Sequence, residues 1–144
     1  MNQAFTQCLE NGKIVPFQRG KDLVGKEMDV AASDLADAKA GYVSQRYKWS
    51  TIQAYYAMFH AARALVLSRS YREKSHYCLG VALKALFVEE GKLDAQSVRD
   101  FLNAMSLREA ADYEAEFSEN GAKAVIAAAG KFIDKAMTIL NSAK

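Results

Sequence analysis

Apolar side chains recur at three- and four-residue steps over most of the chain after residue 20, the pattern of amphipathic helices. Val24, Met28, Ala31, Leu35, Ala38 and Tyr42 form one such stripe and predict a first helix from about Asp22 to about Tyr47. Ser50-Thr51-Ile52-Gln53 has the Ser-x-x-Gln form of a capping box, which predicts that a second helix starts there and runs to the polar loop Ser68 to Lys74. That helix would carry Ile52, Tyr55, Tyr56, Phe59, Ala62, Leu65 and Val66. Ser75 is placed to cap a third helix that stops at a left-handed Gly91, and Asp94 to cap a shorter fourth bearing Val98, Phe101, Leu102 and Met105. A fifth helix is expected after Ser106, then a break around Ser118 to Gly121, and a last helix to about Ser142 with Val125, Ala128, Phe132 and Ala136 inside. Short connectors between long helices imply antiparallel neighbours, so the expected fold is all-α, an up-and-down bundle of four to five long helices plus a short one. Residues 1–20 show no period and contain Asn11-Gly12, Pro16 and Gly20, and read as an irregular arm ahead of a bundle domain at 21–144.

The 144 residues, 51% apolar and 25% charged, suit one globular domain. A chain of this length buries about 70% of its unfolded surface and needs no disulfide or structural zinc. Cys8 and Cys78 lie too far apart in sequence to suggest a metal-ligand knuckle, and the cytoplasm is the expected compartment. The longest stretch without Asp, Glu, Lys or Arg, Trp49 to Ala62, is too short and too polar to cross a bilayer, so no membrane role is expected.

Charge is distributed unevenly around a net value of +2. Arg46 to His76 carries six basic residues against one acidic, and Glu89 to Asn120 carries three basic against nine acidic. Arg69, Arg72, Lys74 and His76 crowd the loop before the third helix, where free backbone amides already favour an anion, and form a candidate phosphate or nucleic-acid contact. Arg108 stacks over Asp112 at i, i+4 on a helix, with Tyr113 beside them. Metal chemistry is not expected with two histidines, of which His60 reads as a packed core residue. No Gly-x-Gly-x-x-Gly, Walker loop or Gly-x-Ser-x-Gly elbow is present, which argues against nucleotide hydrolysis by those routes and against acyl transfer; no cofactor is expected. Tyr42, Tyr47 and Trp49 lie close together near the end of the first helix and read as core or dimer contacts.

The run Ala54-Tyr55-Tyr56-Ala57-Met58-Phe59-His60-Ala61-Ala62-Arg63-Ala64-Leu65, then Lys74-Ser75-His76, Leu107-Arg108-Glu109-Ala110-Ala111-Asp112-Tyr113 and a final helix with Ala128 to Phe132, resembles the HEPN domain family over most of residues 22–142. The resemblance implies a dimerising bundle of four or five helices, often encoded beside a minimal nucleotidyltransferase as a two-component toxin–antitoxin pair. Many members are metal-independent ribonucleases. Their motif is an arginine followed after four to six residues by a histidine, and two copies converge in the dimer. There the histidine can take the proton of an RNA 2′-hydroxyl while the arginine stabilises charge on the phosphorus. Arg108 stands at the arginine position, with Asp112 or Tyr113 where the histidine belongs. An aspartate with an ordinary pKa of about 3.9 and a tyrosine near 10 are both poor bases at neutral pH. Arg69 and His76 match the spacing elsewhere in the chain.

The resulting expectation is a cytoplasmic homodimer, one component of a nucleotidyltransferase-paired toxin–antitoxin module. RNA cleavage would run through Arg108 with Asp112 or Tyr113, or through His76 with Arg69 or Arg72. The alternative is a non-catalytic nucleotide- or RNA-binding adaptor, or a protein-interaction adaptor, using the basic loop 69–76.

Overall fold

The structure is a computed structural model and describes residues 2–142. Four long helices make the bundle: α2 (Val24–Val43), α3 (Tyr47–Ser68), α5 (Ala95–Tyr113) and α6 (Glu119–Ser142). Two eight-residue helices, α1 (Gln3–Glu10) and α4 (His76–Leu83), make six among the described residues, which are all-α apart from one short strand pair. Helix α3 is the axis. Its sequence is apolar nearly all round, and fourteen of its residues, from Ser50 to Leu67, are buried. Such a helix must be covered on every side. Helix α2 covers it antiparallel: Ala38 meets Ser50 near one end, and Glu27 meets His60 and Arg63 near the other. Helices α5 and α6 complete the layer, joined across the core by Phe101 and Phe132 with ring centres 6.1 Å apart.

Signals that act within one turn of chain appear in the structure. Ser75 Oγ accepts from the Cys78 amide at 3.0 Å, Asp94 accepts from the Ser97 amide, and Gly91 adopts φ +76°. Ser50 is different. Helix α3 begins at Tyr47, so Ser50 lies within it, fully buried, and its hydroxyl donates to the Ala38 carbonyl at 2.7 Å instead of capping. The expected fourth and fifth helices are one, α5, because Ser106 faces outward and does not interrupt the backbone ladder.

Residues 3–16, expected to be irregular, are ordered elements. Asn2 caps α1 by accepting from the Phe5 amide at 2.9 Å. Strand β1 (Ile14–Pro16) then pairs antiparallel with β2 (Tyr71–Glu73), Ile14 opposite Glu73 and Pro16 opposite Tyr71. The basic loop is thus partly a strand. The pairing carries α1 onto α4, where Cys8 and Cys78, seventy residues apart, form a disulfide that the sequence reading did not anticipate. A 3-10 turn, Gln18–Leu23, follows β1 and passes so close to α3 that a Cβ on Gly20 would lie 2.6 Å from the Leu67 carbonyl oxygen. Helix α4 runs on into a π-helical turn, Lys84–Val88, whose Phe87 is buried.

Candidate functional site

Two consecutive tyrosines on a helix point about 100° apart, so one can enter the core while its neighbour stays at the rim. Tyr55 is fully buried against Phe59 and Phe101, and Tyr56 is half-buried. Each presents its hydroxyl to a residue of another helix. The Tyr55 hydroxyl lies 2.6 Å from Nδ1 of His76, the first residue of α4. The Tyr56 hydroxyl accepts from Nη2 of Arg108 on α5 at 2.8 Å. His76 and Arg108, thirty-two positions apart in sequence, are therefore neighbours across one tyrosine pair.

The surroundings define both groups chemically. The His76 ring stacks on Phe59 with centres 4.6 Å apart and lies near-parallel to the Tyr55 ring at 5.8 Å. Burial holds its pKa below the ordinary histidine value, and the positive charge of Arg108 acts in the same direction. Burial pushes the Tyr55 hydroxyl above its usual value, so it stays a phenol at any physiological pH. The guanidinium carbon of Arg108 sits 5.2 Å from the Tyr56 ring centre and 5.4 Å from that of Tyr113. Its Nη2 also lies 3.3 Å from Asp112, the expected i, i+4 pair, and its Nε is buried without a partner.

Beneath this pair runs a line of charges. Arg63 of α3 donates from Nε and Nη2 to both carboxylate oxygens of Glu73 at 2.8 and 2.9 Å, and its Nη1 lies 3.5 Å from Glu27. Glu73 and Glu27 are both buried, and the Arg63 guanidinium stacks on Phe59 from 4.6 Å. His60, expected as a core histidine, is half-buried and bridges Glu27 at 3.1 Å and Asp34 at 3.7 Å. Burial raises the Asp34 pKa, and the nearby His60 opposes that rise. Among the described residues no group of three or more His, Cys, Asp or Glu is placed to hold a metal ion.

The four residues of the basic loop are separated. Arg69 turns away to grip Glu90 at 2.9 and 3.2 Å with its guanidinium over the Phe87 ring. Arg72, exposed on β2, lies over Phe17, which follows β1, and Lys74 is exposed. His76 alone joins Arg108. Tyr113 is 73% exposed at the end of α5 with its ring facing the guanidinium. Tyr42 and Tyr47 meet edge to face at 5.4 Å and both donate to Glu119, whereas Trp49 stands half-exposed.

Tyr55, Tyr56, Arg63 and Glu73 were not recognised as site residues from sequence. The available signal was the polar tip of each tyrosine, which must find a partner when its ring is buried. A cavity of about 860 Å³ between α2 and α6, lined by Met28, Ile133 and Met137 among others, shares no residue with the His76–Arg108 cluster.

Among the described residues no helix is long and apolar enough to cross a membrane. The chain is 17% identical to a crystallised protein of Thermus thermophilus, TT1696, with a TM-score of 0.69 over 85% of this chain and 99% of that one, a likeness of fold. It is 30% identical over 109 residues, 75% of this chain and 81% of the other, to a Methanocaldococcus jannaschii protein named "Putative toxin MJ0605". It is 29% identical over 116 residues, 78% of this chain and 92% of the other, to the Gloeobacter violaceus UPF0332 protein glr0978. The family model described as HEPN domain matches residues 27–140, and the chain belongs to the HEPN domain family.

Proposed function

We propose that this chain is the toxin-type component of a two-component module and cleaves RNA without a metal ion at the cluster of His76 and Arg108. The observation that carries the proposal is the convergence of a histidine from α4 and an arginine from α5 on the Tyr55–Tyr56 pair. The usual arginine–histidine spacing is absent from α5, and His76 supplies the missing imidazole from another helix. Relatives named as toxins support the module assignment.

In the proposed reaction the neutral imidazole removes the proton of a 2′-hydroxyl as that oxygen attacks the adjacent phosphorus. The 5′-oxygen of the next nucleotide leaves with a proton from water as a 2′,3′-cyclic phosphate forms, and the imidazolium then returns its proton to solvent. A base role requires Nδ1–H to donate to the Tyr55 hydroxyl oxygen, which leaves the Nε2 lone pair free. The lowered pKa keeps the ring uncharged near pH 7. Arg108 meets the charge that develops on the phosphoryl oxygens, oriented by Tyr56 and Asp112. Asp112 thereby serves the guanidinium rather than the proton transfer.

The active form is proposed to be a cytoplasmic homodimer, paired with a minimal nucleotidyltransferase that controls it. An adaptor role for loop 69–76 has less to draw on, because Glu90 already occupies the Arg69 guanidinium. The test is cleavage of structured and unstructured RNA in EDTA by the wild type, Arg108→Ala, His76→Ala and Arg69→Ala. The proposal expects loss in the first two variants, about 100-fold or more, and retention in the third. Equal activity in all four would overturn it.

A further inference from the structure

The geometry points to Tyr113 as a stacking platform for an unpaired base of the RNA beside the phosphate that Arg108 holds. This inference rests on the proposed reading of the His76–Arg108 cluster and extends it to the class of RNA recognised.

Arg108 has little of its hydrogen-bonding capacity left. Nη2 is taken by Tyr56 and Asp112, and Nε is buried. Nη1, which makes no hydrogen bond to a described residue and is not among the buried unpartnered atoms, remains to meet an anion. The guanidinium lies over one face of the Tyr113 ring, 5.4 Å from its centre, so an anion-seeking group and an exposed aromatic ring stand together. A nucleotide offers the matching pair, a phosphate and a base joined by one sugar. At 73% exposed, Tyr113 also keeps most of its surface open to solvent beyond its contact with the guanidinium.

The charge pattern favours stacking over backbone contacts. RNA-binding grooves ordinarily gain affinity by neutralising successive phosphates with lysine and arginine. Here Glu109, Asp112, Glu114 and Glu116 flank Arg108, within a segment carrying nine acids against three bases. A strand crossing this face can neutralise few phosphates, so its affinity must come from the base. Base–aromatic stacking is indifferent to sequence because every base has a π-face. A base lying on an exposed ring must also be free of its own helix, which selects single-stranded segments, loops and bulges.

The test uses a twelve-nucleotide RNA of mixed sequence, 2′-O-methylated throughout so that it cannot be cleaved, with binding followed by fluorescence anisotropy. Its arms are the intact strand, the same strand made abasic, and the annealed duplex. The expected result is that Tyr113→Ala weakens binding of the intact strand about tenfold or more while Tyr113→Phe does not. The abasic strand and the duplex should bind the wild type as weakly as the intact strand binds Tyr113→Ala, and affinity should fall only gently with salt. Unchanged binding by Tyr113→Ala, with loss in Arg108→Ala, would overturn the stacking inference and leave the phosphate site standing. Equal loss in Tyr113→Phe and Tyr113→Ala would overturn it as well, since it would assign the effect to the hydroxyl. Absence of wild-type binding, or indifference to Arg108→Ala, would remove the underlying reading and this inference with it.

Discussion

The Tyr55 hydroxyl and Nδ1 of His76 stand 2.6 Å apart although the two residues belong to different helices and twenty-one positions separate them. One partner is a buried aromatic that belongs to the core, and the other is half-buried at the N-terminus of α4. The contact fixes which imidazole nitrogen meets Tyr55 and so leaves Nε2 for the proposed base role. Tyr55→Phe keeps the ring packing and removes this partner. Cleavage should fall about fivefold to tenfold, the kinetic equivalent of a hydrogen bond of about 1–1.5 kcal/mol, with substrate binding unchanged. A Michaelis–Menten series on the variant checks this, and a change confined to KM would contradict the assigned role.

His76 also predicts a pH dependence of stability. Its folded pKa lies below the ordinary 6.5 because burial and Arg108 disfavour the imidazolium. Above pH 6.5 the ring is neutral in both states and contributes no slope. As the pH falls below 6.5 the unfolded chain takes up the proton first, so stability is lost, and the loss is complete below the folded pKa. Urea denaturation between pH 7.5 and 5.5 should show the wild type losing stability more steeply than His76→Gln. Parallel slopes would mean that the ring is not held neutral.

The line of charges beneath the site should be sensitive to the loss of one member. Arg63 serves two buried carboxylates, and its removal strands Glu73 and leaves Glu27 with His60 alone. Arg63→Ala should cost about 2–4 kcal/mol, toward the low side of the range for buried pairs because the guanidinium side chain is 33% exposed. Arg63→Ala combined with Glu73→Gln should recover part of that loss, because one stranded carboxylate is then neutral. Thermal and urea denaturation of both variants give the comparison. No recovery in the double variant would show that Glu73 takes little from the pair.

How much of this was legible in the chain depended on the range over which each signal acts. Ser75, Gly91 and Asp94 were readable because a cap or a left-handed stop is decided within one turn. Ser50 was misread because a serine can cap a helix or donate inside one. The choice fell to tertiary contacts: Tyr47 opens the helix three residues earlier, where it meets Tyr42 and Glu119. The ordered N-terminus needed the β1–β2 pairing, a contact across more than fifty residues that neither strand announces by itself. The site shows the same division. Residue type and position point to His76 and to Arg108 separately, with other partners for each, Arg69 and Arg72 or Asp112 and Tyr113. Only the packing of α4 and α5 on α3 puts the two together. Arg63 went unnoticed because it sits in an apolar run whose period predicts core, and its partner Glu73 is the single acid of a basic stretch.

On the proposed reading His76 and Arg108 act as one site although they lie on different helices. A double-mutant cycle on single-turnover RNA cleavage in EDTA, with His76→Ala, Arg108→Ala and the double variant, measures whether they do. Groups acting together on one transition state lose most of the rate with the first removal. The double variant should therefore cleave about as slowly as the slower single variant. Losses that multiply across the two substitutions, or a variant that keeps the wild-type rate, would contradict the account.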